Sequence, residues 1–150
     1  ERQYSRGGVT VATFNKFNCL VENLAEGVHN LQTGALTVAL CAAANAPVAT
    51  NSVLADLTQI SYTNLSSRVL TVSSSSQTSG TYKLIVADLR LTASGGAVAA
   101  FQYIVIYNDT PTSPADPLIG WYDYGSELTL NDTDYLDIDL SAVNGLLQMV

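Results

Sequence analysis

Short β-prone segments separated by turn-forming residues fill the chain from residue 35 to its last residue. Apolar and polar side chains alternate along them, as at Leu36, Val38 and Leu40, which is typical of strands with one buried face. Gly95-Gly96 and Asn144-Gly145 are hairpin-type turn signals. The predicted strands cover residues 35–41, 68–74, 81–92, 97–107, 118–124, 127–130, 134–140 and 146–150.

A single helix is predicted before these strands. Apolar residues recur there at alternating spacings of three and four, which gives one apolar stripe on a helix. Thr13 is the expected N-cap and Gly34 ends the segment. The stripe consists of Phe14, Phe17, Val21, Leu24, Val28 and Leu31. The expected fold class is therefore α+β and mainly β: an antiparallel β-sandwich or barrel of about eight strands with one N-terminal amphipathic helix.

The length of 150 residues favours one domain. Residues 1–13 are interpreted as a flexible N-terminal arm, because the segment opens polar and carries a Gly pair, and residues 14–150 as a single β-rich domain. Arg2, Tyr4 and Arg6 make the arm a candidate partner-binding segment. We expect it to become ordered against a neighbouring subunit.

Basic and acidic residues are distributed unequally along the chain. Residues 1–90 hold six Lys and Arg against five Asp and Glu, whereas residues 91–150 hold eight acids and no base. An anionic half disfavours nucleic acid and anionic membranes as partners. It suits a basic protein surface, or it serves solubility alone.

No catalytic or metal-binding pattern stands out in the sequence. His29 is the only histidine, and no nucleophile or second ligand lies at a recognisable spacing from it. Cys19 and Cys41 match no zinc signature, lie in apolar stretches and are expected to be buried free thiols. We therefore predict that the protein is not an enzyme and needs no cofactor.

An acidic segment at residues 132–139 is the sharpest candidate for a ligand site. Asp137 and Asp139 share one face of a predicted strand, and carboxylates of this kind bind calcium or act as the acid and base of a glycosidase. The segment lacks the EF-hand glycine and terminal glutamate, so a solvated outer strand face is the preferred interpretation. Asp132 and Asp134 are candidates for contact with a protein partner.

Aromatic residues cluster at Trp121, Tyr122 and Tyr124, after a loop at residues 108–117 that holds three of the four prolines. Exposed in a groove, they would favour sugar binding. Aromatic side chains of a β-sandwich serve more often as core or interface anchors. Trp121 and Tyr122 are therefore assigned as candidate partner-binding residues.

Several segments together resemble a family of small proteins encoded among the structural genes of tailed bacteriophages. The resemblance covers residues 14 to 150 and rests on ordered segments rather than on a catalytic motif. These segments are FNKFNCLVENLAEGVHNL (14–31), LTVALCAAANAPVATNSVLADLTQI (36–60), SGTYKLIVADLRLTASGG (79–96), YIVIYNDT (103–110) and DPLIGWYDYGSELTL (116–130).

This resemblance implies a place in the virion. The expected role is that of a capsid decoration (cement) protein on the capsid surface, with the major capsid protein or other virion subunits as partners. The resemblance also implies a homo-oligomer in the assembled particle. The alternatives are a receptor- or glycan-binding module of a tail or head fibre, and a tail or connector subunit.

Overall fold

The computed structural model describes residues 12–150, and within that range it contains nine β-strands and one α-helix. A single turn of 3-10 helix at Leu54–Asp56 interrupts the long connection after the second strand. In chain order the elements are β1 (Asn15–Lys16), α1 (Cys19–Ala25), β2 (Leu36–Cys41), β3 (Val72–Thr78), β4 (Thr81–Val86), β5 (Leu89–Thr92), β6 (Phe101–Asn108), β7 (Leu118–Leu128), β8 (Tyr135–Ile138) and β9 (Leu147–Met149).

The strands form three antiparallel sheets. The largest has the order β1-β7-β6-β2, and two smaller sheets have the orders β3-β4-β9 and β5-β8. The prediction of an α+β, mainly β fold is confirmed. None of the three sheets closes into a barrel within the described residues, so the barrel alternative is wrong.

One face of the four-stranded sheet packs against both smaller sheets. Leu36, Val38 and Leu40 of β2 share a hydrophobic cluster with Leu84 of β4 and Leu91 of β5, and all five side chains are almost fully buried. Because the cluster draws on all three sheets, burial of apolar surface holds them together in sandwich fashion.

The opposite face of the same sheet is also covered. Ala39 and Cys41 of β2 belong to a second hydrophobic cluster that contains Phe17 and, at its margin, Trp121. The Phe17 and Trp121 ring centroids are 4.5 Å apart. Every residue of β2 is consequently buried, whereas the alternation in the sequence had predicted one buried face.

The N-terminal helix is much shorter than predicted. Residues 15 and 16 form a strand instead, with Asn15 opposite Trp121 and Lys16 opposite Gly120. The Phe14 ring lies over Gly120, where a Cβ atom would overlap it. The helix therefore begins only after Phe17. Asn18, not Thr13, occupies the N-cap position, and its side chain makes no capping hydrogen bond.

Two predictions in the middle of the chain were also wrong in detail. The strand predicted at residues 68–74 is observed at Val72–Thr78, so the polar residues 75–78, which lay outside the predicted strands, belong to β3, and the hairpin turn itself is Ser79-Gly80. The predicted long strand at 81–92 is divided into β4 and β5, which belong to different sheets. Gly95-Gly96 forms a turn, yet it joins strands of two sheets rather than a hairpin.

Candidate protein-binding surface

A cleft of about 320 Å³ lies between the four-stranded sheet and the segment that contains β8. We call it the β7–β8 cleft. Its apolar floor includes Ile104, Leu136 and Leu140, all of which are largely buried. Ala12, the first described residue, lies at its margin. The cleft is thus an apolar depression with one end next to the N-terminal segment.

Two tyrosines on the same face of β7 form one wall of this cleft. Tyr122 is half-buried and packs on Phe14 with 5.6 Å between the ring centroids, and burial raises the pKa of its phenol. Tyr124 lies two residues further along the strand and is 41% exposed. Side chains two residues apart on a strand share a face. The pair therefore offers one anchored ring and one accessible ring.

Two carboxylates stand on the other wall, at Asp137 and Asp139. Arg90 binds Asp137 through two hydrogen bonds, Nε to Oδ1 at 2.6 Å and Nη2 to Oδ2 at 2.8 Å. This bidentate contact holds the pKa of the Asp137 carboxyl below its usual range. The Arg90 guanidinium also lies over the Tyr135 ring, 4.0 Å from its centroid. Asp137 and Asp139 are both exposed, and Asp137 is the one paired with Arg90.

The structure does not bring the two predicted aromatic partner residues together. Trp121 and Tyr122 are neighbours in β7, and neighbouring strand residues point to opposite faces of a sheet. Trp121 accordingly contacts Phe17 in the second hydrophobic cluster, while Tyr122 lines the β7–β8 cleft. Of these two residues, only Tyr122 can contact a ligand in this cleft.

The acids Asp132 and Asp134 lie at the turn before β8. Asp132 is exposed, and its Oδ1 accepts a hydrogen bond from the Gly95 backbone N–H at 2.8 Å. Asp134 is only 5% exposed, and its Oδ2 accepts from the backbone N–H of Asn131 at 3.0 Å and from its Nδ2 at 3.2 Å. Because it is buried and satisfied locally, Asp134 stabilises the turn and is a poor candidate for contact with a partner.

The remaining predicted partner residues, Arg2, Tyr4 and Arg6, lie outside the described residues.

The single histidine is buried and follows α1 rather than ending it. His29 is 7% exposed, and its Nδ1 lies 3.3 Å from Nδ2 of the buried Asn108. An amide nitrogen can only donate, so Nδ1 accepts and the ring proton belongs on Nε2. Nε2 has no hydrogen-bond partner among the described residues. Burial lowers the pKa of the imidazole.

Both cysteines are free thiols, as predicted. Burial raises the pKa of Cys41 to about 11. The pKa of Cys19, which is only partly buried, is also raised by burial, and its Sγ lies 3.5 Å from the carbonyl oxygen of Ser52. Neither thiol is set up as a nucleophile, because reactive cysteines have a lowered pKa. Within residues 12–150 no three His, Cys, Asp or Glu side chains are placed to hold a metal ion.

Sequence reasoning identified Tyr122 and placed Asp137 and Asp139 on one face, but it did not join them into a site. The signal for Tyr124 was available, since it alternates with Tyr122 along one predicted strand. The sequence carries no signal that β7 lies beside the segment after β8, because β8 pairs with β5 and reaches β7 only through packing.

No protein-family model, curated protein or solved structure matches this chain. In residues 12–150, α1 has seven residues, and no helix has the length and apolar character needed to cross a bilayer.

Proposed function

We propose that this chain is a structural protein of a tailed-phage virion, and most specifically a capsid decoration protein that binds the shell through protein–protein contacts. The observation that carries the proposal is the β7–β8 cleft, in which an apolar floor and an accessible tyrosine adjoin exposed acids. Such a surface suits a protein segment with both apolar and basic side chains. The resemblance to phage structural proteins supports the virion as its setting.

The charges around the cleft would favour a basic partner. Asp139 is exposed at the rim, and Asp123 and Glu127 are exposed on β7 beyond Tyr122. Exposed charge pairs contribute only about 0–1 kcal/mol each and are screened by salt. The apolar floor and Tyr124 would therefore supply most of the affinity, and the acids would mainly accelerate association and set its orientation.

Replacing acids one at a time tests this division of roles. Asp139→Asn at the rim is paired with Glu22→Gln on α1, which removes the same charge at an exposed position on another element. We expect Asp139→Asn to slow association with purified shells and to reduce its salt dependence, whereas Glu22→Gln leaves both unchanged. Equal salt curves for the two variants would mean that the acidic half faces solvent.

Replacing the accessible ring tests the cleft itself. Tyr124→Ala should lower occupancy on shells at every salt concentration, because it removes apolar contact area rather than charge. Val143→Ala, at a position 76% exposed, is the matched control for trimming a surface side chain. If the Tyr124→Ala variant occupied the shells as fully as the parent protein, the cleft would be excluded as the contact with the shell.

The arm is tested by removing residues 1–8. We expect lower occupancy on shells with an unchanged melting temperature, since the arm is proposed to bind a neighbouring subunit. A lower melting temperature, or undiminished occupancy, would contradict that role.

Copy number per particle separates the possible positions on the virion, because hundreds of copies indicate the shell, and tens or fewer indicate a tail, connector or vertex.

The second candidate function is glycan or receptor binding by a fibre module. It is favoured by one feature, the exposed Tyr124 ring beside the carboxylates of Asp137 and Asp139, because sugars stack on aromatic rings and hydrogen-bond to carboxylates. Binding of host-surface glycans that is lost in Tyr124→Ala, without binding to shells, would establish this alternative. Neither function needs a catalytic step, and we expect the protein not to hydrolyse peptidoglycan, polysaccharide or nucleic acid.

A further inference from the structure

The edge strand β3 carries no charge. No Asp, Glu, Lys or Arg occurs between Arg68 and Lys83, and β3 lies inside that interval with the sequence VSSSSQT. One side of β3 pairs with β4, and within residues 12–150 no strand pairs with its other side. An unpaired strand edge is a template for another strand.

The hairpin turn defines which backbone groups face that open side. Ser79 and Gly80 have φ of 51° and 83°, the positive values that a two-residue type I′ turn requires. Thr78 is opposite Thr81 and closes the hairpin. Antiparallel pairs alternate between hydrogen-bonded and non-hydrogen-bonded positions. Ser75 and Gln77 therefore direct their N–H and C=O groups away from β4.

The other open edges of the described residues are less suited to pairing. β1 has two residues and β9 has three, which is too short for a stable pair. β8 carries Asp137, and the open part of β7 carries Asp123 and Glu127. Charged side chains on an edge discourage association. β2 is an uncharged edge strand too, but its outer edge is covered by backbone hydrogen bonds with residues 60, 68 and 70. Among the edges that stay open, only β3 is long, uncharged and free of proline, with a bulge between Val72 and Ser74 that limits the regular stretch to residues 74–78.

We infer that the open edge of β3 pairs with β3 of a second copy of this chain. The chain has a net charge of −7, which opposes self-association where like charges meet, and two copies can approach most easily where charge is absent. A two-fold axis at Ser76 would place Ser75 opposite Gln77 of the partner subunit, and the reverse. Each such pair exchanges two backbone hydrogen bonds, so the contact has four.

This register joins the two three-stranded sheets into one of six strands. The contact is lined by the hydroxyl side chains of Ser and Thr and by the amide of Gln77, so no like charges meet across the axis. An interface of five residues on each side is weak in solution, and it gains strength where a lattice or a second contact holds two copies close together. The inference goes beyond the proposed function, because the pairing requires neither shell nor glycan.

A matched pair of variants at Ser75 tests the backbone contact. Ser75→Pro removes the outward N–H, whereas Ser75→Ala keeps it, and both lose the 2.9 Å contact between Ser75 Oγ and the Tyr82 hydroxyl. In sedimentation experiments we expect the average mass of the parent and of Ser75→Ala to rise toward twice the monomer mass with concentration. Ser75→Pro should remain monomeric. A parent that stays monomeric at every concentration, or equal association of both variants, would overturn the inference.

A cysteine on the proposed axis tests the register without relying on a proline. Directly opposite residues of a non-hydrogen-bonded pair have Cβ atoms about 4.5–5.5 Å apart, close to disulfide distance. Ser76→Cys should therefore give a disulfide-linked dimer under mild oxidation, in far greater yield than Val143→Cys, an exposed control that reports random collision. Equal yields from the two variants would exclude pairing centred on Ser76.

Discussion

Phe17 is the residue whose replacement most sharply separates the observed fold from the helix that the sequence predicts. In a continuous amphipathic helix Phe17 and Val21 would share the buried stripe. In the structure Phe17 is completely buried, while Val21 on α1 is 56% exposed. The two positions should then respond very differently to truncation.

The magnitudes follow from these surroundings. Truncation of a buried phenylalanine to alanine typically costs about 3–5 kcal/mol, and the ring contact with Trp121 at 4.5 Å places Phe17→Ala in the upper part of that range. Val21→Ala should change the free energy of unfolding by less than about 0.5 kcal/mol, as exposed substitutions do. For a chain of this size the Phe17→Ala loss lowers the melting temperature by roughly 6–20 °C.

Urea denaturation followed by far-UV circular dichroism measures both changes. Phe17→Leu, expected to cost about 1–1.5 kcal/mol, provides an intermediate variant if Phe17→Ala fails to fold. Comparable losses at Phe17 and Val21 would support the long helix and refute the strand at residues 15 and 16. A loss below about 1 kcal/mol for Phe17→Ala would refute its place in the second hydrophobic cluster.

Three other groups give predictions of their own. Because burial lowers the pKa of His29, the unfolded chain takes up the proton first, so stability is full above about pH 6.5 and falls as the pH drops below it. Thermal melts between pH 5 and 8 should show this loss in the parent and not in His29→Gln. Asp134→Ala should cost about 1–3 kcal/mol in urea denaturation because it breaks two hydrogen bonds at a buried turn, and Asp132→Ala should cost less. Cys41, with a pKa of about 11, should resist a thiol reagent at pH 8 in the folded protein and react fully in urea. Fast labelling of Cys41 in the native state would contradict its burial.

The strands were predictable where one local pattern determines them. At β2 and β6 alternation and β-branched side chains agree with the observed strands, because both strands bury apolar side chains in the two hydrophobic clusters. The serine run of β3 carries no such signal. An edge strand with little buried surface accepts polar residues on both faces, so its sequence looks like that of a loop.

The helix was predicted too long for a different reason. Phe14 and Phe17 fit a helical period, yet Phe14 is held over Gly120, which lies about a hundred residues later and is visible only once β1 and β7 pair. Tertiary contact overrides local periodicity in such cases. The cleft was unpredictable on the same grounds, since β7 and the segment after β8 meet through packing rather than through strand pairing.

The burial of β2 on both faces has a consequence for how the chain folds. Both hydrophobic clusters contain residues of β2 and of β6, and the paired residues are far apart in sequence, from Cys41 with Tyr103 to Leu36 with Asn108. Closing such a long loop costs entropy that no contact repays until both clusters form. We therefore expect a single cooperative step with a time constant of milliseconds to seconds, and the slowest amide hydrogen exchange in the protein along β2 and β6.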